Sequence, residues 1–214
     1  TGAQRDAGEA VFTNNSLIDA GEGNVSITMS TGSTSGAVST GQITAKDFSI
    51  THNGGTAGAA AGKIDLGELT ITGDLNIITS SARDVVNTVG NILVLGTTTI
   101  DSKGGDVTLT RATTDLNIGA FTNVGNVTLN DANAFRFGTS NIAGNLVFTS
   151  KGPVASTGAI TVAGTASLTA TSGGFGYADP YINLSNNNDF QGGLTLSVAS
   201  SGASGTGGYA IIKD

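Results

Sequence analysis

The chain has 214 residues, with 33 glycines, two prolines, no cysteine and no tryptophan, and a formal net charge of −7 at pH 7. The lack of cysteine excludes disulfide scaffolds, cysteine-based zinc sites and thiol nucleophiles, and the negative charge disfavours nucleic acid as a partner. Hydrophobic residues make up 38% of the chain and lie in short runs, which is typical of many short strands joined by tight turns. No apolar run approaches the roughly 20 residues of a membrane helix.

The hydrophobic pattern predicts short strands along the whole chain. Apolar and polar residues alternate over about three to five positions at a time, which indicates strands with one inward face. No apolar pattern with helical spacing lasts three turns, and glycine recurs too often for long helices. In chain order the predicted inward pairs are Val25/Ile27, Phe48/Ile50, Leu75/Ile77, Ile92/Val94, Val107/Leu109, Val127/Leu129, Leu146/Phe148, Ala166/Leu168 and Leu194/Leu196.

The strands belong to a repeated phrase. Val124–Leu129 (Val-Gly-Asn-Val-Thr-Leu) returns nineteen positions later as Ala143–Phe148 (Ala-Gly-Asn-Leu-Val-Phe). The frame combines an apolar pair, a glycine, and then Gly-Asn, Gly-Asp or Gly-Thr before a second apolar pair. A period near 20 residues predicts a repeat architecture. The frame can be followed in five stretches, 63–77, 93–109, 115–129, 134–148 and 154–168.

Stacking explains how such short strands can be stable. Each strand would pair with its equivalent one coil above and one coil below, and the inward side chains would form a continuous apolar column. The sequence therefore predicts an all-β protein, a single-stranded parallel β-helix (β-solenoid) of about nine or ten coils with roughly 19–28 residues each. The whole chain, 1–214, is expected to form one β-helical repeat domain.

Turns and loops are predicted between the strands. The segment Asn130–Asn133 offers side chains that tolerate left-handed backbone and form local hydrogen bonds, and stacked Asn, Thr and Ser residues are expected to form ladders that fix the register. Neither end has an evident apolar cap, so we expect a segment of a longer protein, or a subunit whose neighbour covers its ends. Gly/Ser-rich insertions, expected to be loops on one rod, cover 29–42, 52–62, 78–90, 169–181 and 197–208.

Gly-Asn phrases and asparagine-rich turns carry a resemblance to a known family. The residues are Gly23–Val25, Gly125–Val127, Gly144–Leu146, Asn130–Ala134 and Asn188–Gly193. They resemble the repeat region of filamentous-haemagglutinin-like exoproteins, the large bacterial adhesins exported by two-partner secretion. The resemblance implies a right-handed parallel β-helix, a secreted or cell-surface location, and a role in adhesion, biofilm or matrix contact. The amino-terminal secretion domain of such exoproteins is not recognisable here.

Three hypotheses of function remain open. The first is a structural stalk or adhesive segment of a bacterial adhesin, whose partners would be a host or neighbouring-cell surface, a glycan or a matrix polysaccharide. The second is a subunit of a self-assembling extracellular filament or sheath, with end-to-end self-association. The third is a polysaccharide-active β-helix enzyme, for which Asp101 and Asp106 are candidate carboxylates. We expect no enzymatic activity, no cofactor and no membrane insertion.

Candidates for binding a glycan or a partner are Arg136, Tyr177 and Tyr181. Arg136 alternates with Phe135 and Phe137, which points it outward from its coil. Exposed tyrosines near a loop can stack on sugar rings. The alternative is that the two tyrosines cover the apolar column where a coil is enlarged.

Metal sites are weakly indicated. Asp19, Glu22 and Asn24 place oxygen ligands near a glycine-rich turn, but the motif occurs once and lacks the period of calcium-binding repeats. They are therefore only weak calcium candidates, and ordinary turn residues are the simpler interpretation. His52 is the only histidine, and the pattern predicts a solvated turn residue there, with no catalytic or metal-binding partner.

Overall fold

The structure is a computed structural model of the chain, and it describes residues 5–6, 9–10, 12–31, 36–54, 62–112, 116–171, 180–199 and 208–214. Within these ranges the elements are β-strands, turns and bends, with no helix. It follows that the described part has no helix long and apolar enough to cross a membrane.

The strands are short, as their alternating apolar pattern predicts. In chain order they are β1 (Arg5–Asp6), β2 (Glu9–Ala10), β3 (Phe12–Thr13), β4 (Ile18–Asp19), β5 (Val25–Thr31), β6 (Val38–Ser39), β7 (Ile43–Ala45), β8 (Phe48–Gly54), β9 (Ile64–Asp65), β10 (Leu69–Ile71), β11 (Leu75–Thr79), β12 (Val85–Val86), β13 (Ile92–Val94), β14 (Thr97–Asp101), β15 (Val107–Ala112), β16 (Leu116–Val124), β17 (Val127–Asp131), β18 (Phe135–Ile142), β19 (Leu146–Ser150), β20 (Val154–Ser156), β21 (Ile160–Val162), β22 (Ala166–Thr171), β23 (Tyr181–Leu184), β24 (Asp189–Phe190), β25 (Leu194–Ala199) and β26 (Tyr209–Ile212).

Parallel strands stack in two large sheets. Among the described residues, the first sheet has 13 strands, nine of them on the main path β3-β6-β9-β12-β15-β17-β19-β22-β25. The second sheet has 11 strands, nine of them on the path β5-β8-β11-β14-β16-β18-β20-β23-β26. Each coil of the chain contributes one strand to each path, so neighbouring coils are hydrogen-bonded along both sheets. The predicted parallel β-helix is confirmed. Apart from the stack, β1 and β2 pair antiparallel.

The coil length agrees with the prediction, whereas the coil count differs slightly. Successive strands on the first path begin 19 to 28 residues apart. The coils that begin at β15 and β17 each continue into one long strand, β16 or β18, and the coil that begins at β25 has two described strands. About six coils are divided into three separate strands, so the coil count differs slightly from the nine or ten expected.

The predicted inward pairs lie in more than one column. Val25 and Phe48 are register partners in the second sheet, whereas Val107 and Val127 are partners in the first sheet. Ile92 lies on β13, which joins the first sheet beside the main path. The series passes from one column to another at Ile92, which is why the intervals on its two sides are shorter than a coil.

The buried hydrophobic side chains form one continuous apolar column. Nine side chains that the sequence predicted to face inward are no more than 2% exposed. They are Leu75, Ile77, Val107, Leu109, Val127, Leu129, Leu146, Phe148 and Leu168. Leu194 and Leu196 pack against this core but are only partly buried, because they lie at the end of the described first-sheet path.

Candidate functional site

A shallow groove on the outer face of the second sheet brings together two of the predicted binding residues, Arg136 and Tyr181. We call it the arginine–tyrosine groove. Its volume is about 250 Å³. Arg136 lies on β18 and Tyr181 on β23, with β20 between them, so only the stacking of coils brings them together. The lining residues are Asn117, Ala134, Phe135, Arg136, Pro153, Ala155, Thr157 and Tyr181.

Strand alternation and small residues shape the groove. Phe135 and Phe137 are buried on either side of Arg136, which leaves the arginine side chain exposed. Ala155 is the register partner of Arg136 in the next coil. Because Ala155 carries only a methyl group, the space beside the guanidinium is open.

Arg136 is an exposed cation that the described chain does not neutralise. The ion pairs of the described residues are Lys63–Asp65 and Lys103–Asp101, and Arg136 has no hydrogen bond or ion pair to a described residue. Its register neighbour in the preceding coil, Asn117, is uncharged. The guanidinium is therefore available to a ligand.

The tyrosine side of the groove is a flat stack of two rings. Tyr181 and Tyr209 are register partners on β23 and β26, with ring centroids 5.4 Å apart and ring planes within 9° of parallel. Tyr181 is partly buried and Tyr209 is 51% exposed. Tyr177, the third predicted binding residue, lies outside the described residues.

Asn24, one of the weak calcium candidates, belongs to a ladder that links coils. Its Oδ1 accepts a hydrogen bond from the Asp47 backbone N–H (3.3 Å), Asp47 Oδ1 accepts from the Asp74 N–H (2.9 Å), and Asp74 Oδ1 accepts from the Thr97 N–H (2.8 Å). Each of these residues directly precedes a second-sheet strand or begins it. The Asn24 side chain thus links its own coil to the next coil along the chain by a hydrogen bond.

The other two calcium candidates are exposed, with Asp19 at the end of β4 and Glu22 in the turn that follows. Asp19 Oδ1 accepts a hydrogen bond from the Gly21 N–H (2.9 Å), and Gly21 has a positive φ of 53°. Glu22 is exposed. Within the described residues there is no group of three or more acidic or histidine side chains placed to hold a metal ion.

A second ladder runs before the strands of the first sheet. Asp106 Oδ1 accepts from the Asn126 N–H (2.6 Å), Asn126 Oδ1 from the Asn145 N–H (2.9 Å), and Asn145 Oδ1 from the Thr165 N–H (2.8 Å). Asp84 extends the ladder to the preceding coil, because its Oδ1 accepts a hydrogen bond from the Asp106 N–H (2.9 Å). The predicted side-chain ladders are present. Their residues lie at the corners of the coils, which are the positions directly before a strand or at its first residue.

The ladder explains the glycine of the Gly-Asn phrase. A Cβ atom on Gly144 would lie 2.5 Å from Asn126 Oδ1, and one on Gly164 would lie 2.4 Å from Asn145 Oδ1. Both distances are far inside van der Waals contact, so a side chain at either glycine would displace the accepting oxygen. The phrase therefore encodes the contact between neighbouring coils.

The candidate carboxylates of the enzyme hypothesis have structural partners. Asp101 Oδ2 lies 2.6 Å from the Nζ of Lys103, two residues further along the chain. Asp106 belongs to the second ladder and accepts from both the backbone and the side-chain amide of Asn126.

The prediction for His52 was wrong, because the side chain is fully buried. Strand β8 continues to Gly54, so His52 follows Phe48 and Ile50 in the inward alternation instead of starting a turn. Its Nε2 donates to the Gly36 carbonyl oxygen at 3.1 Å. The alternation of Phe48, Ile50 and His52 was the signal in the sequence that could have revealed this position.

Arg83 completes this buried polar cluster and was missed by sequence reasoning. It is 1% exposed, and its Nη1 donates to the carbonyl oxygens of Gly36 and Gly62, both at 2.9 Å. Burial, and secondly the charge of Arg83, lower the pKa of His52. His52 is therefore neutral at pH 7. Arg83 lies in a predicted insertion, where no alternation marks an inward position.

A family model described as repeats of unknown function (DUF5649) matches residues 53–120 and 124–197, together about two thirds of the chain. The chain belongs to this family. Each matched segment spans several coils, so a DUF5649 repeat corresponds to a block of stacked coils. No curated protein and no solved structure matches the chain.

Proposed function

We propose that this chain is a structural and adhesive segment of a bacterial cell-surface or secreted adhesin. In this proposal the solenoid is a stiff rod that holds binding surface away from the cell. The observation that carries the proposal is the continuous pairing of nine strands along each of two sheets. At about 4.8 Å per strand, the nine strands stacked along each path extend roughly 40 Å.

The contacts between coils support a mechanical role. Backbone hydrogen bonds of both sheets and the apolar column join the coils, and the two side-chain ladders add contacts between coils from Asn24 to Thr97 and from Asp84 to Thr165. Bending the rod would have to strain all three together. Repeat architectures of this kind make long, regular structures because each unit contacts only its neighbours.

The resemblance to filamentous-haemagglutinin-like exoproteins supports the adhesive part of the proposal. Those exoproteins are secreted or surface-exposed, and contact with a host cell, a neighbouring cell or matrix polysaccharide would suit the exposed arginine–tyrosine groove. The membership in a repeat family agrees with a stalk built from tandem blocks.

Adhesion can be measured with polystyrene beads coated with the folded chain. We expect these beads to attach to bacterial biofilm or to epithelial cells several times more often than beads coated with albumin. Equal attachment of the two kinds of bead would contradict the adhesive role. Filaments that grow with protein concentration in electron micrographs would favour the filament-subunit alternative.

A further inference from the structure

We propose that the arginine–tyrosine groove binds a saccharide that carries an acidic group, with the acid on Arg136 and a sugar ring against Tyr181. This proposal deepens the adhesive function proposed above and rests on it. It names the chemistry of the ligand and the residues that recognise it.

Arg136 supplies the recognition of the acid. A guanidinium presents a planar fork of donors that matches a carboxylate or a sulfate with two parallel hydrogen bonds. Arg136 is exposed and has no hydrogen bond or ion pair to a described residue, so binding an acid there breaks no existing interaction of the described chain. Arg83, by contrast, uses its guanidinium on buried carbonyl oxygens.

Tyr181 supplies a flat surface for a ring. Its near-parallel stack on Tyr209 fixes the orientation of the ring before a ligand arrives, which reduces the entropy lost on binding. A tyrosine combines an apolar face with a polar hydroxyl, and a sugar ring combines apolar C–H groups with hydroxyls. The two surfaces are therefore chemically matched.

The backbone around the groove favours a saccharide over an extended peptide. A peptide that adds to a sheet needs an unpaired strand edge. Here β18 pairs with β16 and β20, and β20 pairs with β18 and β23, so both strands are occupied on both sides. The groups that remain for a ligand are side chains, among them the amide of Asn117 and the hydroxyl of Thr157.

The size of the groove fits a short part of a polymer. Its volume of about 250 Å³ is below the roughly 300–1,000 Å³ of pockets for drug-sized ligands. Arg136 and Tyr181 lie two coils apart along the path β18-β20-β23, which is about 10 Å along the rod. The acid and the stacked ring would then belong to the same sugar unit or to neighbouring units.

Binding of defined polymers to the whole chain tests the proposal. The probes are oligogalacturonate as the carboxylated saccharide, dextran sulfate as the sulfated one, dextran as the neutral one, and poly-glutamate as an acidic peptide. We expect the chain to bind an acidic saccharide and to bind neither dextran nor poly-glutamate. Preference for dextran sulfate over oligogalacturonate would identify the acid as sulfate and would also support the proposal.

Variants distinguish binding in the groove from a general electrostatic attraction between the chain and an acidic polymer. Arg136→Gln should weaken binding about tenfold or more, because charge-assisted hydrogen bonds are lost. Tyr181→Ala should weaken it about fivefold, whereas Tyr181→Phe, which keeps the ring, should bind nearly as well as the original chain. The matched control is Arg111→Gln, which removes an exposed arginine on β15, in the other sheet, and should leave binding unchanged.

Several outcomes would overturn the proposal. They are equal weakening by Arg111→Gln and Arg136→Gln, equal binding of poly-glutamate, or no binding of any acidic saccharide. If beads coated with the chain still attach to cells in the last case, the groove is not the adhesive site but the adhesive function stands. If the saccharide binds while the beads fail to attach, the adhesive function falls and the groove assignment stands.

Discussion

The solenoid has two kinds of interior within one frame of coils. In the coils around β8 and β12, His52 and Arg83 are fully buried and bond to backbone carbonyl oxygens. In the coils around β18 and β19, Phe135, Phe137 and Phe148 fill the interior, with ring centroids 4.3 to 5.5 Å apart. The strand pairing is parallel in both regions.

This difference teaches that pairing between coils and filling of the coil are separate requirements. Each strand needs a partner strand in the preceding and in the following coil, whereas the interior can be filled by apolar or by polar side chains. Carbonyl oxygens at the corners accept from Arg83 and His52, so a polar interior is tolerated there. The two regions should therefore respond to different perturbations, with the polar one sensitive to pH and the aromatic one to lost volume.

The largest effect is expected for Leu146→Asp, because the carboxylate would be buried in the apolar column without a partner. We expect a loss of more than about 4 kcal/mol in the free energy of unfolding, measured by urea denaturation. The matched control is Val147→Asp on the same strand, where the side chain is 47% exposed and the change should cost little. Similar stability of the two variants would contradict the inward assignment.

Truncation of the aromatic interior should come next. Phe148→Ala removes a side chain that packs against Phe135 and Phe137 and should lower the free energy of unfolding by about 3–5 kcal/mol. The loss should be the same at pH 5.5 and pH 7.5, because no titratable group takes part. Phe148→Leu, which keeps more of the volume, should cost clearly less, and an equal cost would argue against tight packing.

The polar interior should show a pH dependence instead. Burial, and then the charge of Arg83, lower the pKa of His52 below its ordinary 6.5, so the unfolded chain binds the proton more readily. The stability that depends on neutral His52 is fully present above pH 6.5, and it is lost as the pH falls from there through the lower pKa of the folded chain.

The measurement is urea denaturation between pH 7.5 and pH 5.5. His52→Gln keeps a donor for the Gly36 carbonyl oxygen but does not titrate, so the loss of stability on acidification should be smaller in this variant. Identical pH profiles for the two chains would show that His52 does not titrate differently on folding.

The smallest effect is expected for the ladder. Asn126→Ala removes the acceptor of the Asn145 N–H and should cost about 0.5–1.5 kcal/mol, because water can replace the lost partner at this exposed corner. Asn130→Ala, an exposed asparagine outside the ladder, is the matched control and should be close to neutral. A larger cost for Asn130→Ala would mean that the ladder contributes little to stability.

The fold was accessible to sequence reasoning because its signal is periodic. Alternation of apolar residues marked the strands, and the recurrence of Gly-Asn, Gly-Asp or Gly-Thr at intervals near 20 residues between Gly105 and Thr165 predicted the stack and its ladders. The assignment of columns was less successful, since Val25 and Val107 have the same local pattern but lie in different sheets. Pattern alone reports which side chains face inward and does not distinguish two sheets that close one interior.

The candidate site was accessible only in part. The alternation at Phe135–Phe137 predicted an exposed Arg136. That Arg136 lies close to Tyr181 could not be predicted, because it depends on the number of residues between the two strands, which no local sequence pattern gives. Arg83 gave no signal because its partners are backbone carbonyl oxygens, and any residue provides those. A polar side chain that donates to main-chain carbonyl oxygens leaves no second side chain to search for in the sequence.

The tight fit of Gly144 and Gly164 beneath the ladder oxygens has a consequence for how such chains change length. If a block of whole coils were duplicated or deleted, the coils brought together would again place a glycine against a ladder acceptor. The new contact between coils would therefore resemble the existing ones. A single added residue inside a strand would turn its inward side chains to the solvent. Growth and shortening in steps of complete coils are therefore the changes that this architecture accommodates most easily.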